Sequence, residues 1–190
     1  MKPSIAPAIV AMAALFLICG CGTINGPRYN HDIGNTLELR AAGLDKVSIG
    51  EIRKDPAARK DVDFVRARAM TVASAYGSYT AYLREALSSE FDHADLLDPS
   101  STTRIDGVLT HNDLGGTLER EYAALEAELT VTRGAEVVYR ATKAARYEWD
   151  SVYPGEVAIP RAITNYQAGV QRLIAAFIAD PAFVAALRKR

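Results

Sequence analysis

TRIDGVLTHNDL at residues 103–114, EYAALEAELTVT at 121–132 and EVVYRATKAARYEW at 136–149 decide the fold. Apolar and polar side chains alternate along each run, the period-two pattern of a strand with one face on a core and the other in water. The alternation puts Ile105, Gly107, Leu109 and His111 on one face of the first run. It does the same for Leu125, Ala127, Leu129 and Val131 in the second, and for Val137, Tyr139, Ala141, Ala145, Tyr147 and Trp149 in the third. Arg133-Gly134-Ala135 is a tight link with a glycine free to take a positive φ, which predicts a hairpin. Gly115-Gly116 marks a looser turn between the first two runs. Together the three runs predict an antiparallel meander.

Outward from the meander the period changes. Tyr76, Tyr79, Leu83, Leu87 and Phe91 recur at spacings of three and four, which predicts an amphipathic helix over residues 71–92, with Glu85, Ser88 and Glu90 off the stripe. A second stripe, Ile163, Tyr166, Val170, Leu173, Phe177 and Ile178, predicts a helix that starts at Pro160, where a missing N–H is harmless. Asp180-Pro181 ends it, and residues 183–187 allow one more turn. Upstream, residues 47–52 alternate as a strand, and Leu37 and Leu39 are expected to begin another. Residues 53–68 hold Pro56 and charges of both signs, and read as a solvated loop rather than a basic patch. Residues 150–158 read as a loop. The expected class is α+β: one strand, a helix, a three-stranded antiparallel meander and a helix. Two helices then pack on one face of a mostly antiparallel sheet, which the first strand joins through a right-handed crossover.

The chain has 190 residues, 22 basic against 23 acidic, and a formal net charge of −1. That balance lacks the basic footprint of a nucleic-acid binder. With 49% hydrophobic and 24% charged residues the chain is not of the disordered class, and its two cysteines, almost adjacent, build no disulfide framework. A lysine at position 2, a mostly apolar run over residues 5–18 and then small residues have the layout of a secretory signal peptide, since the run is shorter than the roughly 20 residues a membrane-spanning helix needs.

At the end of that run, Ile18-Cys19-Gly20-Cys21 resembles the lipobox of bacterial lipoproteins. The resemblance implies cleavage before Cys21, a thioether-linked diacylglycerol on its sulfur and an acyl group on the new amine. The thiolate is the nucleophile such an alkylation needs. Gly22 stands where an aspartate would argue for the inner membrane, so the resemblance favours the outer membrane over the inner. More than one long chain makes the attachment stable. Loss of residues 1–20 removes Lys2 and no acid, so the net charge of −1 becomes −2 in the mature chain. It also removes Cys19, which leaves no free thiol beside a capped Cys21. The expected organisation is a signal peptide at 1–20, the lipidated cysteine and a flexible tether at 21–35, and a single domain at 36–190.

Chemistry-bearing clusters are sparse. His93 lies beside Asp92 and Asp95, and His111 beside Asn112 and Asp113, but neither group offers three metal ligands at recognised spacing, and both suit caps and turns. No serine sits in a nucleophile elbow, and Gly115-Gly116 lacks the spacing and lysine of a phosphate loop. No catalytic residue, metal or cofactor is therefore expected beyond the lipid on Cys21, and a hydrolase using His93 or His111 is the alternative. The aromatic segment Tyr147, Trp149, Tyr153 with Pro154-Gly155 stands out instead. Tyr147 and Trp149 suit the end of a core, whereas Trp149, Tyr153 and Val157 are the candidates for contact with a partner, Tyr153 foremost because a Pro-Gly turn presents it outward.

A lipobox, a short tether and then strand, helix, three strands and helix resemble, by architecture, the lipopolysaccharide-assembly lipoproteins and the auxiliary lipoproteins of ABC-type envelope lipid transporters. The resemblance implies a non-catalytic accessory or binding component of an envelope assembly or transport system, facing the periplasm. Its partners would be the lipid bilayer and an envelope protein, with no nucleic acid. A periplasmic lipid carrier, with an apolar cavity between sheet and helices, is the first alternative, ahead of the hydrolase.

Overall fold

The structure, a computed structural model, describes residues 22–188. Its frame is a four-stranded sheet in the order β2-β5-β6-β7, where β2 is Ser48–Lys54, β5 Thr103–Gly116, β6 Arg120–Arg133 and β7 Glu136–Asp150. The β5-β6-β7 meander is antiparallel, and β2 runs parallel to β5, so the chain crosses over between them. The crossover carries helix α2, Tyr79–His93, and the long helix α3, Gly155–Ile178, packs beside it. The class is α+β, with helices packed on sheets. Ile52, Ile105, Leu109, Leu125, Leu129 and Val131 meet Leu83, Leu87, Phe91, Leu173 and Phe177 in one continuous core.

The alternation of β6 holds throughout, but bulges move two of the predicted faces. The register slips between Leu109 and His111, so that Asn112 points inward and His111 is exposed. One extra residue reverses every side chain beyond it. A second slip opposite Val131 and Thr132 leaves Val137 exposed while Tyr139 stays buried.

Four expectations are corrected. Residues 22–35 are not a free tether: β1, Thr23–Asn25, pairs in parallel with β4, Met70–Ala73, and Tyr29 is buried. Leu37 and Leu39 belong to a helix, α1, Ile33–Ala41, whose cap Asp32 accepts a hydrogen bond from Asn35 N–H. The charged stretch 53–68 contains β3, Val65–Ala67, paired with β4, and buries Val62 and Val65; accordingly α2 starts only at Tyr79, capped by Ser78. Helix α3 starts at Gly155 and carries Pro160 within it. Pro160 is exposed, and its ring takes one N–H out of the helix ladder there.

Glu90 explains why the N-terminal segment is folded. It lies off the α2 stripe in sequence yet is completely buried. Its carboxylate accepts from Tyr29 Oη at 2.5 Å, Asp32 N–H at 2.9 Å and Thr36 Oγ1 at 3.3 Å. Burial, and then the bond to Glu90, push the Tyr29 phenol far above its ordinary pKa, so it serves as a permanent donor. Asn30 and Asn35 add bonds to Gln167, Gln171 and the Gln171 carbonyl of α3. At the other terminus Asp180 caps the short helix α4, Pro181–Leu187, and binds Lys143 at 2.7 Å and Tyr139 at 2.9 Å on β7.

Candidate functional site

The candidate site is the end of the domain where the β3–β4, β5–β6 and β7–α3 connections meet. Residue 68 turns the β3–β4 hairpin with φ of 54°, in the left-handed region that a non-glycine residue enters only when its surroundings hold it there. The restraint is visible. The Arg68 guanidinium donates to Ser151 Oγ at 2.9 Å, to the Val152 carbonyl at 2.6 Å and to the Tyr153 carbonyl at 3.3 Å. It also pairs with Glu121 at 3.0 Å. Glu121 in turn accepts from the indole N–H of Trp149 at 2.8 Å. Ser151 N–H donates to the Glu119 carbonyl at 2.9 Å, which ties the β5–β6 turn to the same loop.

This network sorts the predicted contact residues. Trp149 is 5% exposed and belongs to the core end, the place also expected for it on structural grounds, so it offers no free surface. Tyr147 is half-buried beneath the Arg172 guanidinium, 4.5 Å from its ring centre. Tyr153 is 85% exposed and Val157 50% exposed. Leu118, at the tip of the β5–β6 turn and not singled out in the sequence, is 79% exposed. Between these connections runs an open groove of about 530 Å³, lined by Arg66, Ala67, Leu114, Leu118, Trp149 and Ala162 among others. Arg68 gives no sequence signal. Glu121 gives one, because an acid in phase with Ala123 and Leu125 sits on the apolar face of its strand.

The chain enters the domain at this same end. The Gly22 carbonyl accepts from Thr71 N–H at 3.1 Å, and Thr23 lies in register with Thr71, directly after the turn that Arg68 makes. The lipidation candidate Cys21 lies outside the described residues, as does the signal-peptide stretch 1–20.

Two of the three histidines meet, and the third stands apart. His93, at the end of α2, stacks on His31 with ring centres 3.6 Å apart and places Nδ1 2.8 Å from the Ser89 carbonyl. His111 is exposed on β5. Among the described residues no group of three or more His, Cys, Asp or Glu is gathered to hold a metal ion, and no single helix is long and apolar enough to cross a membrane.

The fold is shared with protein XCC0632 from Xanthomonas campestris, of the DUF330 family: TM-score 0.54 at 11% identity, covering 86% of this chain and 96% of that one. The likeness is one of fold. Weaker matches are a candidate lipoprotein from Caulobacter crescentus CB15 (TM-score 0.42, 14% identity, 80% of this chain and 96% of that one) and a lipoprotein from Neisseria meningitidis (0.30, 5%, 65% and 97%). No protein-family model and no curated protein matches the sequence.

Proposed function

We propose that the protein is a periplasm-facing lipoprotein, held in the outer membrane through acyl chains on Cys21, whose domain serves as a non-catalytic accessory component of an envelope assembly or transport system. The observation that carries this reading is the junction of motif and fold. Ile18-Cys19-Gly20-Cys21 ends one residue before Gly22, and from Gly22 onward the chain is hydrogen-bonded into the domain. Cleavage before Cys21 therefore removes no part of the described domain. The covalent lipid is the only group the reading requires, and no residue is assigned a catalytic role. Tyr153 and Val157, exposed at the end where the chain enters the domain, are free for contact.

The carrier alternative needs an enclosed apolar cavity, which the cleft between α2, α3 and the β1–β4 pairing is too small to be. The cleft lined by Tyr79, Tyr82, Leu114, Ile163 and Tyr166 holds about 10 Å³, roughly the threshold for a single water. The hydrolase alternative would need His93 or His111 to act with partners, and His93 is engaged by His31 and Ser89.

Radiolabelled fatty acid should enter the wild-type protein and not Cys21→Ser, and the variant should fractionate away from membranes. Crosslinking in intact membranes followed by pulldown should recover an envelope protein with the wild type. Unlabelled wild type, with the variant still membrane-bound, would refute the anchoring. Loss of function in His93→Ala or His111→Ala with unchanged stability would refute the non-catalytic role.

A further inference from the structure

The anchoring reading has a geometric consequence. Consecutive Cα atoms are about 3.8 Å apart, so Cys21 cannot lie further than that from Gly22. Gly22 is fixed against Thr71 beside the β3–β4 turn. An acylated Cys21 therefore brings the bilayer close to one particular end of the domain.

That end is the apolar one. Seven large hydrophobic side chains are exposed among the described residues, and four of them, Phe64, Leu118, Tyr153 and Val157, lie there. Leu118 and Tyr153 project from turns joined by the Ser151–Glu119 bond, and Val157 follows in the first turn of α3. Phe64 flanks an adjoining groove with Arg66 and Leu114. The Arg68 network fixes both turns, so little ordering entropy is lost on docking. A tyrosine beside aliphatic side chains suits the boundary between headgroups and acyl chains, where its ring is apolar and its hydroxyl stays wet. The local charges are mixed, with Arg66 and Arg161 exposed beside Glu119 and Glu156, so attraction to anionic lipid is not the main force.

Resting on the lipidation of Cys21, we infer that this end is seated in the membrane surface itself: Leu118 and Tyr153 enter the headgroup layer of the bilayer that holds the acyl chains. Such insertion reaches about 5–10 Å below the surface. The anchor supplies the effective concentration that lets a few side chains hold the orientation. The outer face of the sheet and the outer edge of β7 then stand clear of the membrane for a protein partner.

The mature chain has no cysteine except the capped Cys21, so single labels can be placed. Leu118→Cys, Tyr153→Cys and Val137→Cys, the last at the opposite β6–β7 turn, are each labelled with a polarity-sensitive fluorophore. The lipidated protein is then reconstituted into phosphatidylethanolamine–phosphatidylglycerol vesicles carrying spin label near the headgroup. Blue-shifted, quenched emission at 118 and 153, with neither change at 137, is the expected result. Emission at 118 and 153 matching that at 137, in protein that is lipidated by mass and floats with the vesicles, overturns the seating and leaves the anchoring intact. A protein whose Cys21 carries no lipid overturns both. Shielding of 118 and 153 only in native membranes, and not in protein-free vesicles, assigns the face to a protein and overturns the bilayer as its occupant.

Discussion

The meander and the N-terminal segment are held by different means. In β5-β6-β7 a continuous backbone ladder is backed by alternating apolar side chains, so each residue repeats its neighbour's message. In residues 22–36 the backbone pairs with the rest of the domain only along the short parallel strand β1, and side chains do the rest, above all the single carboxylate of Glu90. Redundant interactions of the first kind tolerate loss. A hub of the second kind does not.

The largest effect should come from breaking the hub. Glu90→Ala leaves the Tyr29 hydroxyl, the Asp32 N–H and the Thr36 hydroxyl without their acceptor in a buried place. A loss of about 3 kcal/mol or more is expected. At roughly 2–4 °C per kcal/mol for a domain of this size, melting should fall by about 6–12 °C. Hydrogen exchange should show residues 29–36 losing protection while the meander amides keep theirs, and Glu90→Gln, which retains an acceptor, should be milder.

Within the meander the comparable weak point is a close approach. A Cβ at Gly107 would lie 2.7 Å from Leu129 Cδ2, 2.9 Å from Ile52 Cδ1 and 3.0 Å from the Glu128 carbonyl. Gly107→Val should cost about 1–3 kcal/mol through overpacking, read as a lower denaturant midpoint. Protection of residues 29–36 should fall only as far as the global stability does.

These two residues also show what the sequence made legible. The meander, the crossover strand and both main helices follow from periods of two and of three to four. The bulge at Thr110 does not, because nothing in the alternation of residues 103–114 marks where a ladder slips by one. Glu90 is invisible for a different reason. Its donors lie 54 to 61 residues away in sequence, and a Gly-, Asn- and Pro-rich stretch looks the same whether free or pinned by distant side chains. Tyr153 could be placed in its turn from Pro154-Gly155, whereas Leu118, Arg68 and the entry point at Gly22 share one end only once β1 is seen to pair with β4.

A smaller, pH-dependent effect concerns the link between the C-terminus and the meander. The hydrogen bond from Lys143, then that from Ala182 N–H, hold Asp180 at a pKa of about 2, below its ordinary value of 3.8. A carboxylate depressed on folding stabilises the native state above its unfolded pKa and loses that contribution as pH falls through the folded one. Acid unfolding between about pH 4 and 2 should therefore be shallower in Asp180→Asn than in the wild type.

Smallest of all should be Tyr153→Ala. An exposed side chain outside the core changes stability by no more than about 0.5 kcal/mol, so its effect should appear in membrane or partner contact and not in melting. A large drop in melting temperature would place the Tyr153 loop with the core elements it adjoins.

Everything proposed about orientation and role begins at one covalent bond. Intact-mass and peptide mass spectrometry of the protein extracted from its native membranes should find a chain that begins at Cys21 and carries a diacylglycerol and an amide-linked acyl chain. A chain that begins at Met1, or at any residue after Cys21, or one that begins at Cys21 without lipid, would contradict the account.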